Sequence, residues 1–401
     1  MDNAQQKRLK VILIGALITG VGIGMFSNCM GVFIAPVCSA VGFSRGLFSL
    51  IGTVSILSSM FMLLWFGRIL QAVAIKKIFF ICALVCALVP LGYASCSGIW
   101  QFYALAAING LAINGLTMVT VGVFIEQRLD GKHGMAMGVA FAGVGIVSSA
   151  MLPVLQFVID QYGWRWGFRM QSAVGLLILM GTILFLVDNG KPLNKHQPLK
   201  EQAQSIPYEE AIITKSFQCL LIGLFCANFV NIALFNHAIP FLTDNGFTPI
   251  AAALISSVAT LLMIASKPLY GLMLDWIGLR IGALLLGGVL FLGSVVALAF
   301  SYRKVDGLLY GVLLAGCACA NALPGNIYAI RLFGKRDYPR IVARLTLASS
   351  AGAAAGTPLA GFVYDRFGSY QIIWVLCLVL SLFATALLYI SASKNKLNSE
   401  R

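Results

Sequence analysis

Across 401 residues the chain is 59% hydrophobic and only 10% charged, and its mean hydropathy is +0.90. Soluble domains carry about 25% charged residues, so a soluble enzyme or a soluble binding module is excluded at the outset. The net charge of +14 is spread along the chain in a way that reads as membrane topology, not as a nucleic-acid footprint.

Apolar runs of about 20 residues, each enough to cross the hydrocarbon layer, recur over the whole length. They fall at roughly 11–37, 46–70, 77–95, 98–125, 134–158, 167–188, 216–242, 249–274, 281–301, 307–331, 343–363 and 370–392, here segments 1 to 12. Backbone groups inside a bilayer must be bonded internally, so every segment is expected to be helical. The fold expected is an all-α integral membrane protein of about twelve helices.

Segment 1 follows a basic start, Lys7, Arg8 and Lys10. It is too long for a signal peptide and shows no convincing cleavage site, so it is read as a retained helix. The stretch from Asp188 to Lys215 is the long polar one, with Pro192, Pro198, Pro207 and the pair Glu209-Glu210. It divides the chain into residues 1–188, a cytoplasmic linker 189–215 and residues 216–401, with six segments on each side. With the N-terminus inside, Arg45, Arg165, Arg169, Arg303, Lys304 and Arg366 face outward and Lys267 lies within a segment. The remaining 21 of the 28 Lys and Arg, among them Lys76, Lys77, Arg128, Lys132, Lys335, Arg336 and Arg340, then lie inside. The positive-inside rule favours that orientation, with both termini cytoplasmic. The ten cysteines are scattered without metal-ligand spacing and read as packing residues; Cys38 and Cys96 both fall near the outer face, close enough in topology to be a candidate pair.

The two halves repeat. Pro153, Phe157, Val158, Asp160 and Gly163 recur 205 positions later as Pro358, Phe362, Val363, Asp365 and Gly368. Pro36 and Pro240, and likewise Gly67 and Gly271, are 204 apart. Such offsets predict a parallel repeat with the substrate between the halves and alternating access.

Eight asparagines lie inside apolar segments: Asn28, Asn109, Asn114, Asn228, Asn231, Asn236, Asn321 and Asn326. All fall on segments 1, 4, 7 and 10, equivalent helices of the repeat. An amide in hydrocarbon is costly unless bonded or wetted. They either tie helices together or line a shared polar cavity, and the clustering favours the cavity. Segment 10 adds Pro324-Gly325 and Tyr328 beside that pair. His237 near the outer end of segment 7 is a candidate proton carrier, or a polar residue bonded to a neighbour.

Lys267 is the most informative residue. All 14 Asp and Glu fall in loops, tails or segment ends, so none lies in the membrane to neutralise it. A central cation costs roughly 2.5–3.5 kcal/mol on insertion scales. It could snorkel toward water or sit neutral; an anionic substrate is the favoured partner.

With these residues in view the chain resembles the major facilitator superfamily over nearly its whole length, and within it the oxalate/formate antiporter and monocarboxylate porter group. KHGMAMGVAFAG, Lys132 to Gly143, is similar to that group's signature between segments 4 and 5, with Met135 for leucine and His133 in a basic slot. GWRWGFR, Gly163 to Arg169, and GVFIAPVCSAVGFSR, Gly31 to Arg45, resemble its outer loops. GLMLDWIGLR, from Gly271 through Asp275 to Arg280, is close to the superfamily's conformational loop motif. The first-half copy, GRILQAVAIKK, has Gln71 in place of the aspartate.

The resemblance implies that Lys267, directly before Pro268, binds a substrate carboxylate. Met263 stands where proton-coupled members carry aspartate, and segment 11 lacks the second cation expected for a dianion, having Arg344 only at its inner end. The function expected is therefore transport of a small organic monocarboxylate across a bacterial cytoplasmic membrane. Lys267 would bind the carboxylate, and Asn28, Asn109, Asn114, Asn231, Asn326 and Tyr328 would supply hydrogen bonds. Exchange or facilitated diffusion fits better than proton symport. The partners expected are the carboxylate, the lipid bilayer and a proton or counter-anion, with a monomer implied by the family. No cofactor, metal or nucleic acid is expected. Efflux of amphipathic drugs is the rival within transport, and a transporter-like receptor or regulator the rival from another class; no nucleophile–base set or paired acids suggest an enzyme.

Overall fold

A computed structural model describes residues 3–129, 134–187, 206–300, 307–320, 323–334 and 337–393. Each of the twelve apolar segments is helical over its described residues. Among the described residues, ten helices are long and apolar enough to cross a membrane. Segments 8 and 9 run together in Pro249–Phe300, bent at Gly278, whose φ of 76° and ψ of 175° are non-helical. Only glycine adopts that conformation without steric cost. Segment 11 is the helix Tyr338–Phe367, rich in small residues.

The repeat is written into the backbone. Left-handed glycines end the outer helices at Gly42 and, 204 residues on, at Gly246, then at Gly163 and, 205 on, at Gly368. Three-residue 3-10 turns interrupt segment 4 at Asn114–Leu116 and segment 10 at Ala318–Ala320, again 204 apart.

The described residues form two compact units, each with its own core. The first comprises Met1–Lys195 with Phe247–Leu261, the second His196–Gly246 with Leu262–Arg401. The sequence halves meet at the linker, so the difference lies in Phe247–Leu261, the start of segment 8, where Ser257 Oγ donates to the Ser149 carbonyl within the first unit. Glycine lets equivalent helices approach backbone to backbone in both units. A Cβ added at Gly143 of segment 5 would lie 2.2 Å from the Ala16 carbonyl oxygen of segment 1. One added at Gly352 of segment 11 would lie 2.1 Å from that of Phe225 in segment 7. In lipid, where apolar burial gives helices little drive to associate, such contacts carry the packing. Cys38 and Cys96 are not joined in a disulfide; Cys38 Sγ donates to the Ser44 carbonyl at 3.7 Å and Cys96 Sγ to the Gly92 carbonyl at 3.3 Å.

Gly352→Ala is expected to force segments 7 and 11 apart and cost about 1–3 kcal/mol, as overpacked cores do. Gly138→Ala, which meets nothing within 4 Å, should not lower the thermal unfolding midpoint in detergent.

Candidate functional site

Segments 1, 4, 7 and 10, which carry the asparagines, are all interrupted helices. Segment 1 widens to a π-turn at Gly20–Met25 and tightens at Asn28–Met30 before resuming at Gly31–Val41. Segment 7 breaks at His237, between Lys215–Asn236 and Ala238–Asp244. Each interruption releases backbone groups that need partners.

In the first unit those partners are side chains of neighbouring segments. Ser148 Oγ donates to the Gly24 carbonyl at 3.1 Å, and Gln171 Nε2 to the Met25 carbonyl at 2.7 Å. Asn28, half-buried, donates to Ser148 Oγ at 3.4 Å. Asn114 is 4% exposed. Its Oδ1 accepts from Ser59 Oγ at 3.1 Å, and its Nδ2 donates to the Ser59 carbonyl at 3.1 Å and the Gly110 carbonyl at 3.4 Å. Its own carbonyl accepts from Thr117 and Thr120 hydroxyls. The amide expected to meet substrate is thus consumed in tying segments 2 and 4. Asn109 is half-buried and makes no hydrogen bond among the described residues.

The second unit assembles the stronger candidate. Asn228 Nδ2 donates to the Leu224 carbonyl at 3.1 Å and to the Ala320 carbonyl at 3.0 Å, closing the turn in segment 10. On the adjacent residue, Cys319 Sγ donates to the Ser266 carbonyl at 3.3 Å. This places the backbone turn that carries Lys267 against the interruption of segment 10. The side chains of Lys267 and Asn326, and all of Asn321, lie outside the described residues. Asn231, three residues past Asn228 on segment 7, is 3% exposed and its Oδ1 has no hydrogen-bond partner. Among the described residues, Ser49 Oγ, Gln156 Oε1, Ser256 Oγ and Trp374 Nε1 share that condition. Asn231 alone of these five lies within one helical turn of a residue bonded to that interruption.

The remaining candidates take structural positions. His237 is fully buried. Its Nε2 is 2.8 Å from the Thr357 carbonyl and its Nδ1 is 3.1 Å from Tyr370 Oη. A carbonyl only accepts, so Nε2 carries the proton and Nδ1 accepts from the tyrosine hydroxyl. Asn236 donates to Thr357 Oγ1 at 2.9 Å. Both residues hold the broken end of segment 7 to segment 11. Tyr328, expected at the substrate, is fully buried and donates to the Leu279 carbonyl at 2.8 Å, beside the Gly278 bend. Leu279 lies twelve residues beyond Lys267, roughly 18 Å along a helix at 1.5 Å per residue. The hydroxyl therefore secures the inner turn. Asp275 pairs with Arg331, which also donates to the Leu274 carbonyl at 2.7 Å. Arg280 donates to the Ser393 carbonyl at 3.1 Å. A Cβ at Gly271 would meet nothing within 4 Å.

Gln171, Ser59, Thr357, Tyr370 and Arg331 went unnoticed in the sequence. Extending the search for membrane amides from asparagine to glutamine would have found Gln171, and the repeat offset leads to Arg331 through its counterpart Gln127.

Helices interrupted at repeat-related positions and ten apolar spans among the described residues define a polytopic helical membrane fold. The Major Facilitator Superfamily profile matches residues 12–242 and 220–401, and the chain belongs to that family. It is 23% identical over 257 residues to monocarboxylate transporter 13 of Bos taurus, covering 64% of this chain and 59% of that protein. The chain thus spans about three-fifths of the length of that relative. It is 22% identical over 378 residues to the multidrug resistance protein MdtG of Proteus mirabilis, covering 92% of this chain and 91% of that one. Among solved structures it is similar to a bacterial homologue of the human lysosomal transporter Spinster, with a TM-score of 0.78, 14% identity and coverage of 97% and 98%. At that identity the likeness shows the fold.

Asn114→Ala strands the Ser59 hydroxyl and is expected to cost about 1–3 kcal/mol of stability. Asn231→Leu removes an acceptor that has no partner and should leave the unfolding midpoint unchanged or raised. Both are read by thermal denaturation in detergent.

Proposed function

We propose that the protein is a transporter of a small organic monocarboxylate, working by alternating access in a bacterial cytoplasmic membrane with both termini inside. The observation that carries the proposal is Lys267, a cation within a span whose sequence offers no acid to pair with it. Its turn lies against the interrupted segment 10, where Asn231 has an unused amide oxygen.

The lysine would supply a compact point charge for one carboxylate. Asn231 and Asn326 would hydrogen-bond the rest of a small polar solute. Asn28, Asn114 and Tyr328 would act at one remove, by fixing the interruptions. Similarity to a monocarboxylate transporter supports this class of substrate. Exchange against a second anion or facilitated diffusion fits the absence of membrane acids better than proton symport. His237, with both ring nitrogens engaged by neutral groups, serves to position segment 7. Monomer is the state proposed.

Efflux of amphipathic solutes is the second reading, favoured by the extent of the match to MdtG, which takes in nearly both chains.

Ligand-dependent thermal stabilisation separates the two. A ligand at 100 times its dissociation constant adds about 2.7 kcal/mol. A short monocarboxylate should raise the unfolding midpoint of the wild type and not of Lys267→Gln. Stabilisation by uncharged or cationic amphiphiles that ignores the mutation would replace this reading with efflux. In a transport assay, His237→Gln should lower stability and leave the pH profile unchanged; a profile that loses its acidic limb would restore a proton role.

A further inference from the structure

At the loop between segments 2 and 3 the two units differ in charge. At an offset of 204, Gln71 corresponds to Asp275, Gln127 to Arg331 and Lys76 to Arg280. In the second unit the three charged residues are used internally: Asp275 pairs with Arg331, and Arg280 is bonded to the Ser393 carbonyl. In the first unit the acid and its partner have both become glutamine, while Lys76 remains and Lys77 is added.

Neither lysine's ammonium group forms an ion pair or hydrogen bond among the described residues. Both stand in the first turn of the helix Ile75–Ser95, which has no acidic residue there and no side-chain cap. Cations at that end oppose the helix dipole. Beside them opens a cavity of about 570 Å³, lined by Ala72, Val73, Ala74, Lys76, Lys77 and Phe80. Its lining combines apolar residues with two lysines, at the end of an apolar span.

We propose that this cavity binds an anionic phospholipid, whose phosphate compensates the charge of Lys76 and Lys77. The phosphodiester lies against Lys76 and Lys77, and the upper acyl chain against Val73 and Phe80. Neutral zwitterionic lipid brings its own cation and gains little; free phosphate lacks the apolar part. This site does not depend on the transported solute.

The test uses the full-length protein in detergent, titrated with phosphatidylglycerol, phosphatidylcholine or inorganic phosphate while thermal unfolding is followed. Basic residues near an anionic headgroup each contribute a factor of about five, so a preference for phosphatidylglycerol over phosphatidylcholine of roughly thirtyfold is expected from two. It should disappear in Lys76→Gln/Lys77→Gln and survive in Lys76→Arg/Lys77→Arg. Equal stabilisation of the wild type by phosphatidylcholine overturns the proposal, as does an unchanged preference in the glutamine variant. Stabilisation by inorganic phosphate alone shows an ion site without lipid and overturns it too. Should the glutamine variant fail to fold, native mass spectrometry of the wild type in an equimolar mixture of the two lipids decides, retention of both alike being the contrary result.

Discussion

A hydrocarbon interior gives no water to a backbone group released from its helix, and this constraint organises the molecule. Four equivalent helices are interrupted, and each interruption exposes carbonyls or amides that only another part of the chain can satisfy. Ser148 and Gln171 close the π-turn of segment 1. Ser59 and Asn114 join segment 4 to segment 2. Asn228 closes the turn in segment 10, and Asn236 and His237 secure the broken end of segment 7. Most polar side chains buried in these four helices are therefore structural, and what remains unspent becomes the informative set.

That remainder is small. Asn231 keeps a buried oxygen without a partner, near the turn where Cys319 meets the backbone before Lys267. An unsatisfied buried acceptor costs free energy, which a hydrogen-bonding solute would recover under the proposed reading. The family and fold alone do not choose that solute, because one transporter fold serves many substrates. The proposal of a small anion rests on the charge of Lys267 and the unpartnered Asn231 oxygen. The asymmetry between units follows the same logic. Where Asp275 and Arg331 satisfy each other, the first unit has Gln71 and Gln127 at the equivalent positions, and the proposed lipid site lies beside them.

Much of this was legible in the sequence. Proline and glycine fix turns through their own backbone limits, so the offset of 204–205 residues survived into the left-handed glycines and the 3-10 turns. Asparagines marked the four interrupted helices because an amide is expensive in lipid. Cross-helix partners were not legible, since periodicity identifies a face and not the neighbour opposite it. Tyr328 shows the consequence: a tyrosine in a polar-rich helix reads the same whether its hydroxyl meets a solute or a backbone carbonyl, and Leu279 takes it. Nor does hydropathy reveal that the start of segment 8 groups with the first unit. Ser257 donates to the Ser149 carbonyl there, and both serines look like ordinary small residues of a membrane helix.

Exchange in reconstituted liposomes tests the central claim most directly. Vesicles holding the purified protein would be loaded with unlabelled lactate or acetate, and entry of the same labelled carboxylate followed. The account predicts entry faster than in protein-free vesicles, stimulated by the internal anion and lost in Lys267→Gln while that variant remains folded. Carboxylate entry undiminished in Lys267→Gln would contradict it.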